Sequence, residues 1–184
     1  MRVIGGSLGG QKLVSPSGKN TRPTTDRVRE NLFNILESRV EFEGKRILDL
    51  FAGSGAFGIE ALSRGGEFAL FVEQAGPARA VIRENVENLS LTGKTRIFRR
   101  DATRLGSIGT MRPFDLVFAD PPYETGLGQK AAESLFQGGW LASNAMFILE
   151  ERRSALPENI EGFDLIDTRA YGDTAIALFE YGGG

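Results

Sequence analysis

Residues 46–58 read Arg46-Ile47-Leu48-Asp49-Leu50-Phe51-Ala52-Gly53-Ser54-Gly55-Ala56-Phe57-Gly58. An apolar run that meets glycines and then passes into Ile59, Ala61 and Leu62 predicts a strand, a tight turn and a short helix ending at Gly65-Gly66. Glycines let the chain turn sharply and let a ligand approach the backbone. The helix start beyond them presents unpaired N–H groups to a negative group. Gly53, Gly55 and Gly58 also satisfy G-x-G-x-x-G, and Glu73 follows twenty residues after Gly53, where an acid can hold ribose hydroxyls. The same spacing is compatible with a tight turn that holds no ligand.

Outward from this stretch the pattern repeats. Apolar runs at 68–73, 95–99, 114–119 and 145–150 predict further strands, and Ala78, Val81, Ile82, Val86 and Leu89 make a helical stripe between two of them. Strands alternating with helices predict an α/β fold with a parallel sheet and helices on both faces. Two last strand-like runs, 164–169 and 174–181, are joined by Ala170-Tyr171-Gly172-Asp173, too short for a parallel crossover, so they predict an antiparallel C-terminal hairpin. Upstream, Val28, Leu32, Ile35 and Leu36 fall on one face of a helix that Thr25 or Asp26 can cap and that ends near Ser38. Residues 2–5 and 10–14 flank a glycine-rich link and predict a small hairpin or a mobile arm.

The chain has 184 residues, 41% hydrophobic and 25% charged, which suits a single domain: an N-terminal basic hairpin or arm over 1–24 and a catalytic core over 25–184. It has no cysteine and no histidine. That excludes disulfides, thiol nucleophiles, Cys/His zinc sites and imidazole bases, and no metal is expected. No apolar run approaches the ~20 residues of a membrane span, and the first residues lack a secretion-signal core, so a cytoplasmic protein is expected. The net charge of −2 is uneven: residues 1–29 hold six cations against Asp26, and the remainder sums to −7. A basic arm on an acidic body suits a polyanionic partner.

The run Phe114-Asp115-Leu116-Val117-Phe118-Ala119-Asp120-Pro121-Pro122-Tyr123 carries the chemistry. Proline fixes φ and holds the preceding residue extended, so the acceptors of this turn point in set directions. Asp120 when ionised and a proline carbonyl are acceptors, and Tyr123 offers a flat face. Together they suit a planar base that stacks on the ring and donates from an NH₂ group.

The glycine turn, the Asp120-Pro121-Pro122-Tyr123 turn and the segment from Arg22-Pro23-Thr24-Thr25-Asp26-Arg27 to Asn34 together resemble the bacterial 16S ribosomal RNA guanine-N2 methyltransferases of the RsmD type, within the S-adenosylmethionine-dependent amino-methyltransferases. The resemblance implies a Rossmann-like class I methyltransferase fold with a mostly parallel seven-stranded sheet. It implies that Asp49, Phe51, Gly53, Ser54, Gly55, Glu73, Asp101, Ala102 and Asp120 bind S-adenosylmethionine. Asp49 would lie near its ammonium, Glu73 on its ribose, and Asp101 with the Ala102 N–H at its adenine. Asp120, Pro121, Pro122 and Tyr123 would carry catalysis. Arg2, Lys12, Arg22, Thr24, Arg27 and Arg29 would face small-subunit ribosomal RNA, naked or in the small subunit or its assembly intermediate. The chain departs from the family pattern at Leu8, Gly9 and Gln11 in the arm and at Ala75 after Glu73. The implied reaction is methyl transfer to the exocyclic N2 of a guanine. Alternatives are an adenine-N6 methyltransferase, a nicotinamide-dependent oxidoreductase, or an RNA-binding module without catalysis.

Overall fold

The computed structural model describes residues 1–17, 26–122 and 126–183. Seven strands form one sheet: β1 (Arg46–Leu50), β2 (Phe68–Val72), β3 (Thr95–Phe98), β4 (Phe114–Ala119), β5 (Leu141–Arg152), β6 (Phe163–Tyr171) and β7 (Thr174–Tyr181). Their order is β3-β2-β1-β4-β5-β7-β6. The β3-β2-β1-β4-β5 part is parallel and β7 runs antiparallel between β5 and β6. The predicted architecture is therefore present. The C-terminal hairpin is tighter than expected, because both strands run up to a two-residue Gly172-Asp173 turn with Gly172 at φ 61°.

Successive strand residues face opposite sides, and the two sides bury separate cores. Ile47, Phe71, Leu116, Phe118, Ile148 and Ile176 pack with helices α1 (Asp26–Glu37), α2 (Ala56–Ser63) and α3 (Gly76–Asn88). Leu48, Leu70, Val117, Phe147 and Phe179 pack with α4 (Leu127–Gly138). No stripe of large apolar residues marks α4 in the sequence: its buried face is mostly small, with Gly128, Ala131, Ala132 and Ser134 beside Leu135. The segment between β3 and β4 forms no helix. Ala102 and Leu105 enter the α4-side core, and Trp140 donates its indole N–H to the Gly106 carbonyl at 2.8 Å.

β5 begins four residues before the apolar run at 145–150 because it contains an irregularity. Phe114 pairs with Leu141 but Leu116 pairs with Met146, and within the offset Asn144 adopts φ 60°. Polar Ser143 and Asn144 are exposed there, so the strand continues where the apolar run does not.

The N-terminal segment is a hairpin and it is docked, not mobile. Arg2 bridges Lys12, while Val3 and Leu13 are buried. Buried Glu60 of α2 accepts the N–H groups of Ile4 and Gly5, both at 2.8 Å, and pairs with Arg64 at 2.9 Å. Here the expectation for Arg29 fails. Arg29 is 1% exposed, donates to the Arg2 carbonyl and to Asp26, and lies 3.9 Å from Glu60. Its charge is committed to tying α1, the hairpin and α2 together, so it is not a cation that RNA can reach.

Candidate functional site

Parallel strands bring their carboxyl ends to one edge, and β1 is the switch point, with β2 on one side and β4 on the other. In such sheets ligands bind outside the carboxyl ends at that switch. The glycine turn follows β1, Glu73 follows β2, Asp101 and Ala102 follow β3, and Asp120 follows β4. Residues far apart in sequence thus share one rim.

The turn after β1 is shaped for close approach. Phe51 takes φ 52°, unusual for a bulky residue, while its ring packs into the α4-side core. Gly53 takes φ 58°, and a Cβ there would meet nothing nearer than the Phe51 carbonyl oxygen at 3.9 Å. The open space beside Gly53 is what a ligand needs. Gly58 has a different reason to be glycine, since a Cβ would lie 2.5 Å from the Phe71 ring and 3.3 Å from the Asp49 carboxylate. The G-x-G-x-x-G pattern therefore combines an open approach with helix packing. Ser54 is buried, its hydroxyl meets the Met1 thioether at 3.6 Å and its carbonyl accepts from Asn85 at 3.0 Å.

Glu73 is half-buried, just past the end of β2. One carboxylate oxygen accepts the Gly53 N–H at 2.9 Å and the other accepts the Ala75 N–H at 2.9 Å. The acid fixes the glycine turn and keeps lone pairs for hydroxyl donors. In the Asp101 side chain one oxygen takes both the N–H and the hydroxyl of Thr103, at 2.8 and 2.7 Å, leaving the second oxygen to accept from elsewhere. The Thr103 hydroxyl bond holds its carboxyl below the usual range. The buried Ala102 beside it packs in the α4-side core. Asp120 is half-buried, Pro121 buried and Pro122 exposed.

Asp49 is 1% exposed, and burial pushes its carboxyl up to about 8 despite the bond it accepts from the Gly58 N–H at 2.9 Å. Glu73 pushes it in the same direction. A cation arriving at this edge would favour the ionised form. Because the folded value lies above the unfolded one, the protonated acid stabilises the fold at low pH, and this contribution is lost as pH rises from about 4 towards about 8. Asp49→Asn should remove that slope, roughly 1.4 kcal/mol per pH unit. Urea melts of both proteins at about pH 5.5, 6.5 and 7.5, inside that window, check it. Parallel stability curves would remove Asp49 as the titrating group.

Two other residues that hold the site escape sequence reasoning. Buried Asn85 of α3 donates to the Ser54 and Val14 carbonyls and accepts the Val14 N–H, so it ties the glycine turn to the N-terminal segment. Glu60 ties α2, which starts at that turn, to the hairpin. A polar residue on an otherwise apolar helix face is the available signal for each.

Arg2, Lys12 and Arg27 are exposed. Arg22, Thr24 and Tyr123 lie outside the described residues. A second basic stretch, with Lys94, Arg96, Arg99, Arg100 and Arg104 around Asp101, lies along and beyond the edge strand β3, and all five cations are exposed. Among the described residues no three His, Cys, Asp or Glu side chains form a metal-holding group, and no helix is long and apolar enough to cross a membrane.

The family model described as conserved hypothetical protein 95 matches residues 1–180. The Bacillus subtilis protein YlbH is 40% identical, covering 98% of each chain. Ribosomal RNA small subunit methyltransferase D of Escherichia coli strain K12 is 38% identical over 98% of this chain and 89% of its own length. The solved structure of Escherichia coli yhhF has a TM-score of 0.84 at 35% identity, covering 98% of this chain and 97% of that one.

Proposed function

Since the chain belongs to the conserved hypothetical protein 95 family, which includes ribosomal RNA small subunit methyltransferase D, we propose that it methylates the exocyclic N2 of a guanine in small-subunit (16S) ribosomal RNA in the cytoplasm. The observation that carries this reading is the rim itself, where the Asp120-Pro121-Pro122 turn stands beside the Glu73-anchored glycine turn across the switch point. A dinucleotide-dependent oxidoreductase has no use for the first of these.

The rim fits S-adenosylmethionine, which when bound supplies an electrophilic methyl group on a sulfonium. Asp49, Phe51, Gly53, Ser54 and Gly55 would hold its methionine end, Glu73 its ribose, and Asp101 with Ala102 its adenine, with Asp120 at the reacting side. The open approach at Gly53 and the lone pairs left on Glu73 and Asp101 support this fit. Asp120 acts on the target. A guanine amine shares its lone pair with the ring and is a poor nucleophile. Two acceptors on its hydrogens, the Asp120 carboxylate and the Pro121 carbonyl, favour a pyramidal nitrogen whose lone pair points away from the ring. Asp120 or water then takes the proton that the amine must lose. Tyr123 would supply the stacking face. The base leaves its own stack to reach this turn, which favours a loop over a duplex.

Labelled methyl groups incorporated into small-subunit RNA, followed by nucleoside digestion, test the reading. N2-methylguanosine is the expected product, and N6-methyladenosine or a ring-carbon or ribose product would overturn it. Arg2, Lys12 and Arg27, with Arg22 and Thr24 of the same segment, are the proposed RNA-facing residues. Changing Arg2, Lys12 and Arg27 together to glutamine should lower the salt slope of RNA binding by about 1 for every phosphate no longer neutralised. Filter binding across a salt series checks this, and an unchanged slope would make the arm a solvated face.

A further inference from the structure

Asp120 alone does not choose between guanine and adenine, because both bases offer an NH₂ group. The neighbouring strand supplies what is missing. Ala119 pairs with Leu149 at the end of the parallel β4-β5 ladder, where strands lie about 4.8 Å apart, so Asp120, the first residue past β4, and Glu150 of β5 are each the next residue along neighbouring chain segments. Phe118 and Ile148, two residues before each of them, face the α1–α2 side of the sheet. On that side Glu150 borders a closely packed apolar cluster of Leu32, Phe57, Phe118, Ile148 and Ile176 that leaves no room for a water molecule. Phe57 and Phe118 stack there, with centroids 5.3 Å apart and planes 9° apart. Phe57 is half-buried, and the cluster reaches the Asp120 turn through Ala119. A half-buried carboxylate on the strand next to the Asp120 turn, on the same side of the sheet, can reach a base edge that donates hydrogen bonds at that turn.

Resting on the guanine-N2 reading above, we propose that Glu150 is the residue that reads guanine. Guanine presents two neighbouring donors on its pairing edge, N1–H and one N2–H, and a carboxylate accepts both at once. Asp120 and the Pro121 carbonyl share the other N2–H. Adenine and cytosine present a ring-nitrogen acceptor beside the amine, which would face the Glu150 carboxylate lone pair to lone pair. The pair of acids thus selects the donor–donor edge and rejects the donor–acceptor edge by repulsion, so the specificity has an attractive and a repulsive part. The chemical step is unchanged: a bond forms from N2 to the methyl carbon, the bond from that carbon to sulfur breaks, and one N2 proton leaves.

The test replaces carboxylate with amide. In Glu150→Gln the side chain keeps its shape, accepts one N–H and donates another, which complements 2-aminopurine, a base with the 2-amine and an unprotonated N1. Small-subunit RNA carrying guanine or 2-aminopurine at the mapped methylation site is methylated by wild-type protein and by the variant, with melting temperatures compared alongside. Methylation of guanine should fall roughly 10- to 100-fold in Glu150→Gln, and the preference for guanine over 2-aminopurine should collapse or invert. Binding gives a second readout without turnover, because 2-aminopurine brightens when it leaves the stack, and Glu150→Gln should capture it at lower protein concentration than wild type. Glu150→Ala should lose the preference without inverting it. An unchanged guanine to 2-aminopurine ratio in a folded Glu150→Gln protein that makes N2-methylguanosine would overturn this inference alone. Wild-type protein that leaves guanine N2 unmodified would overturn the reaction it rests on as well.

Discussion

Asp120→Ala should lower methyl incorporation into small-subunit RNA by roughly 10²- to 10⁴-fold, the range of a well-placed group that accepts or transfers a proton. Its affinity for S-adenosylhomocysteine should stay near that of wild type, because the Glu73–Gly53 bond and the Asp101–Thr103 turn follow other strands and do not depend on Asp120. The rigid turn survives the change, since Pro121 and Pro122 set its backbone regardless of the side chain before them. Asp120→Asn keeps one acceptor oxygen and should recover part of the loss. Single-turnover incorporation measured beside calorimetric cofactor binding separates the two effects. Near-normal turnover in Asp120→Ala would end the role of this acid as amine acceptor.

Glu73→Ala should show the opposite signature. Charge-assisted hydrogen bonds contribute roughly 1.5–3 kcal/mol each, so removing the two bonds proposed between Glu73 and the ribose should raise the dissociation constant of S-adenosylhomocysteine by about two orders of magnitude or more. A further weakening comes from the protein side: the Gly53 and Ala75 N–H groups are left without their acceptor, and the turn that shapes the open approach is no longer tethered to the end of β2. At saturating cofactor the methyl-transfer rate should be largely restored. The fold should persist, because Glu73 sits at the rim while β1 and β2 remain paired through their whole length. A dissociation constant equal to that of wild type would remove Glu73 from the cofactor site.

The parts of this molecule set by local chemistry were legible in the sequence. Strand alternation, helical stripes, and the φ requirements of glycine and proline act over a few residues, so β1 to β4, α1 and α3, the glycine turn and the Asp120 turn all stand where the chain predicts. Glu73 and Asp120 could be named because each closely follows a strand whose direction the alternation implies, and Asp101 was named through the family resemblance. The family resemblance then assigned the rim a ligand. What the sequence left open depends on partners far along the chain. Arg29 reads as an arm cation but is buried against Arg2, 27 positions away, and buried Glu60, which no sequence pattern singled out, is the acceptor for Ile4, 56 positions away. Asn85 meets Val14 across 71 positions. A buried polar group is stable only with its hydrogen bonds made, and nothing local states which distant backbone will make them. The same holds for β5, where a bulge interrupts the apolar pattern without ending the strand, and for Glu150, which only the β4-β5 register brings next to the Asp120 turn. The sequence alone determined which elements form and which end of each carries chemistry; the tertiary structure decided which charges are spent inside the fold and which remain to meet a ligand, because only packing sets the distance between residues that the chain keeps apart.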